Sequence, residues 1–265
     1  MAVPSPVVAG IPALSITHWR DAAKLIEHTL LKPDATRSQV TALCDEALRY
    51  GFHSVMVNPA NVGLAVSRLR GTEVKVGTVI GFPLGASLTS TKLFEAESAL
   101  RQGAQELDIV MNIGALKSGD RLLVQTEMRS LTRLAHRRGA LLKLILENAL
   151  LSQVEKILAC ALAADAGVDF VKTSSGLADT GATAADVALM RGVVGLKIGV
   201  KAAGGIRTAK DAIRYLVLVN ETVGDDWLDP AWFRIGASSL LNDLLMQRTK
   251  LTTGRYEGPD YFTLD

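Results

Sequence analysis

Short runs of apolar and β-branched residues alternate along this chain with longer stretches whose apolar residues recur every three or four positions. The first pattern suits a buried strand and the second an amphipathic helix. Strands are predicted over 25–31, 53–57, 74–80, 105–112, 141–147, 168–173, 196–201 and 232–236. Helices are predicted near 34–50, 58–70, 88–102, 119–138, 151–166, 182–193, 208–218 and 238–249. In the first helix Asp34 follows Pro33 as the N-cap, Val40, Leu43, Cys44 and Ala47 share a face, and Gly51 stops the run.

Eight strands alternating with eight helices predict a single-domain α/β fold, a closed (β/α)8 TIM barrel. The 265 residues match the size of about 250 typical of that fold. A doubly wound open sheet would want a glycine-rich first turn, and here that turn reads KPDAT. The barrel is expected over 16–250, between a loosely ordered leader at 1–15 and a C-terminal tail at 251–265.

Composition narrows the partners. Hydrophobic residues make up 48% and charged residues 21%, enough for a large core. A net charge of +2 argues against a general nucleic-acid footprint. No run approaches the ~18 apolar residues of a membrane span. The leader lacks a basic start and carries three prolines, so it reads poorly as a signal peptide. Cys44 and Cys160 suit free thiols, and a cytoplasmic location is expected.

In a barrel of this kind chemistry sits at the C-terminal strand ends. Alternation places Glu106, Asp108, Val110 and Asn112 on one face, Lys143, Ile145 and Glu147 on another, with Phe170 and Lys172, and with Lys197, Gly199 and Lys201. Packing of the intervening apolar residues on the helices turns these sets inward. They fit a buried ion-pair network that fixes strand register. They also fit an amine poised for attack on a carbonyl, because Lys172 and Lys201 end neighbouring strands and a second ammonium disfavours protonation of the first. At the ordinary lysine pKa only about one amine in 2,500 is neutral at pH 7. A fall of three units makes roughly a quarter neutral, for about 4 kcal/mol of differential interaction. Such an amine can form a Schiff base.

Phosphate capture is the second signal. Gly204 and Gly205 follow the seventh strand, and Gly236, Ser238 and Ser239 follow the eighth. Those two turns are the usual phosphate site of the fold, although each alone is also an ordinary strand-to-helix turn. The four histidines, His18, His28, His53 and His136, show no zinc spacing, so neither metal nor cofactor is expected. GFPLGAS lacks the dinucleotide-binding spacing.

With the motifs EHTLLKPDAT, VGTVIGFPLG, GAQELDIVMNIGAL, LKLILEN, FVKTSSG, VKAAGGIRT and FRIGASSLL, the chain from about 25 to 250 resembles the 2-deoxy-D-ribose-5-phosphate aldolase family. These are class I, Schiff-base aldolases with a TIM-barrel fold. The resemblance implies reversible cleavage of 2-deoxy-D-ribose 5-phosphate to D-glyceraldehyde 3-phosphate and acetaldehyde. It implies Lys172 as the Schiff-base amine, Lys201 as the lysine that lowers its pKa, and Asp108 as the proton-moving carboxylate. Gly204, Gly205, Gly236, Ser238 and Ser239 would hold the phosphate, with Thr29, Thr173 and Gly176 lining the substrate pocket. The partners implied are phosphorylated sugars and aldehydes, and a homodimer is entertained while the sequence leaves the oligomeric state open. Another Schiff-base phosphosugar aldolase, a transaldolase-like barrel or a non-catalytic phosphosugar-binding barrel are the alternatives. Glu27 stands where the family usually has aspartate, and Met56 where some members carry cysteine. Tyr256 and Tyr261 are the tail residues that could take the place of a terminal tyrosine seen in some members, and their role is left open.

Overall fold

A computed structural model describes residues 22–253. The leader at 1–15 and the tyrosines Tyr256 and Tyr261 lie outside the described residues. Eight parallel strands close into one barrel in chain order. They are β1 (Ile26–Leu30), β2 (Ser54–Val57), β3 (Lys75–Ile80), β4 (Glu106–Val110), β5 (Leu141–Ile145), β6 (Phe170–Lys172), β7 (Gly199–Ala203) and β8 (Phe233–Ala237). Helices α1 (Arg37–Tyr50), α2 (Val62–Leu69), α3 (Thr89–Arg101), α4 (Ile113–Lys117), α5 (Arg121–Arg137), α6 (Gln153–Ala166), α7 (Ala184–Val194), α8 (Ala209–Val223) and α9 (Leu240–Thr253) lie between and after them.

Local chemistry explains the element ends. Thr36, rather than Asp34, caps α1: its hydroxyl accepts from Gln39 N while the Gln39 side chain accepts from Thr36 N. Ser152 with Glu155, and Thr208 with Asp211, repeat the device on α6 and α8. The strand predicted to run to 112 stops at Val110, because the Asn112 side chain accepts from Ala115 N and starts α4, a short helix the sequence pattern does not predict. The seventh strand begins at Gly199, after a 3-10 turn over Gly195–Lys197. Lys197 is therefore exposed below the barrel rather than inside it.

Alternation then sorts the side chains. Leu107, Ile109, Leu142, Leu144, Val171, Val200 and Ile235 point outward and are buried under the helices, each such side chain contributing about 1.5–3 kcal/mol. Inward stand Glu27, Glu106, Asp108, Lys143, Phe170, Lys172, Lys201 and Arg234, all buried. Space for the larger ones comes from glycine. A Cβ on Gly199 would lie 2.2 Å from the Phe170 ring. That ring in turn lies 4.8 Å below the Arg234 guanidinium, a cation–π contact closing the floor of the charged layer.

Candidate active site

Three carboxylates and four cations fill the barrel interior beneath the C-terminal strand ends. Register pairs Asp108 with Lys143 across β4–β5, Lys172 with Lys201 across β6–β7, and Lys201 with Arg234 across β7–β8. Asp108 Oδ2 accepts from Lys172 Nζ at 2.9 Å and from Lys201 Nζ at 2.8 Å, and its Oδ1 accepts from Lys143 Nζ at 2.9 Å. Glu27 accepts from Lys201 through Oε2 and from Arg234 through Oε1 at 3.1 Å. Glu106 accepts from Lys143 at 2.7 Å and from Arg234 at 2.7 and 2.8 Å. His53 sits 3.3 Å from Glu106 on the wet side of the cluster, and His28 pairs with Glu46 outside it.

The charges do not balance. Glu27, Glu106 and Asp108 offset Lys143, Arg234 and Lys201: Lys143 holds all three carboxylates, and Arg234 and Lys201 hold two each. Lys172 has Asp108 alone and is the surplus cation. A buried ammonium without a full counter-charge sheds its proton readily. Burial, opposed by Asp108 and reinforced by repulsion from Lys201, lowers Lys172 from an ordinary 10.5 to about 8. Lys143 goes the other way: burial would lower it, but Asp108, Glu106 and Glu27 outweigh that and raise it. Burial would likewise push Asp108 up, yet Lys143, Lys172 and Lys201 hold it well below the usual carboxylate range. The cluster thus contains one amine that is partly free at neutral pH, roughly a tenth of it at pH 7, beside a carboxylate that stays ionised.

A cavity of about 270 Å³ opens above this layer at the C-terminal strand ends. Of the seven charged residues only Lys172 reaches it. Thr29 lines one wall and Ser175 and Gly176 another, while Gly204, Gly205, Gly236 and Ser238 bring both glycine turns to the same space. Three glycines pack backbone to backbone beneath the far wall. A Cβ on Gly181 would lie 2.2 Å from Gly204 O, and one on Gly204 3.3 Å from Gly176 Cα. Gly236 has a second neighbour, because a Cβ there would lie 2.9 Å from Lys201 Cε.

Two of the residues predicted for the pocket and the phosphate turns stand apart from the cavity lining. The Thr173 hydroxyl donates to Ala203 O at 3.0 Å and accepts from Ala203 N at 3.1 Å, so it ties β6 to β7. Ser239 is beyond the lining at Ser238. Met56 is buried in the barrel, facing Gly77 and Glu106. The sequence pattern missed Arg234, although it lies two residues before Gly236 and so shares its face. It also missed Arg207, which follows the Gly-Gly turn and reaches the cavity beside it, and Lys32 from the loop after β1.

The sequence profile of the DeoC/LacD family aldolases matches residues 22–245. The deoxyribose-phosphate aldolase of Thermococcus gammatolerans is 54% identical over 195 residues, 73% of this chain and 87% of that protein. That of Bacillus mycoides is 47% identical over 225 residues, 83% of this chain and 95% of the relative. Among solved structures, a tetrameric deoxyribose phosphate aldolase from Aeropyrum pernix superposes with a TM-score of 0.76 at 33% identity, covering 88% of this chain and 93% of that one.

Proposed function

The chain belongs to the DeoC/LacD family of aldolases, and on that premise we propose how its site works. It is a class I deoxyribose-phosphate aldolase, reversibly cleaving 2-deoxy-D-ribose 5-phosphate to D-glyceraldehyde 3-phosphate and acetaldehyde. The observation that carries the assignment of roles is that Lys172, the surplus cation of the buried cluster, is also the cluster residue that reaches the cavity.

Neutral Lys172 attacks the aldehyde carbon of the open-chain sugar and forms a carbinolamine. Loss of water gives an iminium, whose positive charge is the electron sink for the next step. The C2–C3 bond breaks, its electron pair passing into the iminium to give an enamine. The 3-hydroxyl loses its proton and becomes the aldehyde of glyceraldehyde 3-phosphate. A carboxylate held as low as Asp108 does not keep a proton, so Asp108 orients a water that takes it and relays it to C2 of the enamine. Protonation of the enamine at C2 and hydrolysis release acetaldehyde and restore Lys172. The charge count has a further use: Lys172 alternates between amine and iminium cation, and Asp108 is the anion already in place for the charged form.

The backbone amides of the turns at Gly204–Gly205 and Gly236–Ser238, with Arg207 beside them, bind the 5-phosphate. Binding there orients a carbonyl at the other end of the cavity over Lys172. For the whole chain we propose a cytoplasmic homodimer. Cys44 and Cys160 are free and buried, as a reducing compartment allows, and among the described residues no helix is long and apolar enough to cross a membrane. Light scattering distinguishes a dimer from the tetramer of the Aeropyrum pernix relative.

Borohydride reduction in the presence of 2-deoxy-D-ribose 5-phosphate tests the covalent step. We expect one reduced adduct per chain, located on Lys172 by peptide mass spectrometry. An unmodified Lys172 in an inactivated enzyme would overturn the assignment.

A further inference from the structure

Glu147 is a buried carboxylate outside the charged cluster, and the reaction above makes no use of it. It stands two residues past the end of β5 with φ 55° and ψ 65°, in the left-handed region. Among the described residues it is the one non-glycine with positive φ. L-residues enter that region at a cost, and they persist there where the surroundings impose it.

The left-handed turn aims the side chain across to the loop after β6. Three hydrogen bonds stitch the two loops together: Leu146 N to Lys172 O at 3.0 Å, Asn148 N to Thr173 O at 2.9 Å, and Ser175 N to Glu147 Oε2 at 3.1 Å. The first two extend the strand ladder. The third uses a side chain, and it is the last tie before the chain becomes cavity wall at Ser175, Gly176 and Leu177. Glu147 Oε1 has no partner among the described residues, so the Ser175 amide is the group this carboxylate serves.

What Ser175 holds bears on the phosphate turn. Gly176 packs against Gly204 Cα, and Ala182 N donates to Ala203 O at 3.0 Å and to Gly204 O at 3.1 Å. The loop from Ser175 to Ala182 is therefore the shelf on which Gly204 and Gly205 rest. We infer that Glu147 is a positioning residue for the phosphate end of the pocket, acting through Ser175 and Gly176 on the Gly204–Gly205 turn. This rests on the phosphate reading given above.

Two variants separate the reach of the side chain from its charge. Glu147→Asp keeps the charge and tolerates the left-handed backbone but is one methylene too short for Ser175 N. Glu147→Gln keeps the length and an acceptor oxygen and loses the charge. Each is assayed for KM and kcat with 2-deoxy-D-ribose 5-phosphate and with unphosphorylated 2-deoxy-D-ribose. We expect E147D to raise KM for the phosphorylated sugar about tenfold, the scale of one positioning hydrogen bond, with kcat and the unphosphorylated sugar changed by less than about threefold. E147Q should remain within about threefold of wild type on both sugars. Equal losses of E147D on both sugars would mean a general structural role and overturn the inference, as would an E147Q as impaired as E147D. A wild-type enzyme indifferent to the phosphate would instead remove the phosphate reading, and this role with it.

Discussion

Lys172 and Lys201 are register partners across the β6–β7 ladder, and their amine nitrogens converge on the same Asp108 oxygen at 2.9 and 2.8 Å. Lys201 has a second carboxylate in Glu27, and Lys172 has none. The pair is therefore unequal by construction: the lysine with one anion sheds its proton, and the lysine with two supplies the repulsion. Burial contributes more to the lowering of Lys172 than Lys201 does, so the second lysine tunes a value that the barrel interior has already moved.

The inequality sets the pH dependence. Because attack needs the free amine, kcat/KM should rise with pH through about 8 and level off above it, reporting the free enzyme. Lys201→Leu removes one of the two influences that lower Lys172, so the rising limb should move to higher pH and activity at pH 7 should fall. Steady-state kcat/KM from about pH 6 to 10 checks both statements. A limb left in place would take Lys201 out of this role.

The same lowering makes Lys172 a burden on stability. It ionises near 8 when folded and near 10.5 when unfolded. Below pH 8 it is charged in both states, and the folded state carries the full penalty of the surplus cation, about 3 kcal/mol at 1.36 kcal/mol per unit. Between pH 8 and 10.5 the unfolded chain binds the extra proton, so wild-type stability rises with pH there, and above 10.5 the penalty is gone. Lys172→Met should be inactive yet more stable than wild type at pH 7, with the gap closing toward pH 10. Urea unfolding at the two pH values measures it, and a less stable variant at pH 7 would contradict the charge count.

The barrel and the heart of its site are legible in the sequence because both rest on local periodicity. A two-residue alternation suffices to turn Asp108, Lys143, Lys172 and Lys201 inward, and the Gly-Gly and Gly-Ala-Ser-Ser turns mark the seventh and eighth strand ends. What escapes is what closure creates. Arg234 meets Glu27 and Glu106 across separations of 207 and 128 residues, and no local pattern carries that pairing. Lys92 is similar: its strand-distant partner Glu127 and Val110 O bury it under α3, where helical spacing shows only a polar residue. Glu147 escapes for another reason. Alternation continues β5 through it, and the left-handed turn after Ile145 shows only in the backbone.

One glycine packed against the first turn and one within the second should separate binding from chemistry. Gly181→Ala places a Cβ 2.2 Å from Gly204 O, and the clash is with backbone, so the Gly204–Gly205 turn proposed to bind phosphate must move. Gly236→Ala places one 2.9 Å from Lys201 Cε, and there a side chain must yield. We expect G181A to raise KM about tenfold or more with a smaller change in kcat, and G236A to lower kcat chiefly. Kinetics on 2-deoxy-D-ribose 5-phosphate resolve the split, and the reverse pattern would exchange the two roles.

Asp108 should prove separable from the supply of free amine. Its carboxylate raises the Lys172 pKa, and in the proposed reaction it also orients the water that relays the proton. Asp108→Asn keeps the shape, removes the charge, and leaves Lys172 facing Lys143 and Lys201 without their shared anion. The Lys172 amine should then become free at lower pH than in wild type, while cleavage falls by about 10²–10⁴, the range of a lost general acid–base group. Acetic anhydride acetylates free amines without needing the relay, and Lys172 reaches the cavity. Its extent of acetylation against pH, read by peptide mass spectrometry, reports the amine, and the aldol assay reports the chemistry. A lower acetylation midpoint together with lost cleavage assigns Asp108 to proton transfer. A midpoint that moves upward would mean that D108N fails for want of a nucleophile, and the relay role would go.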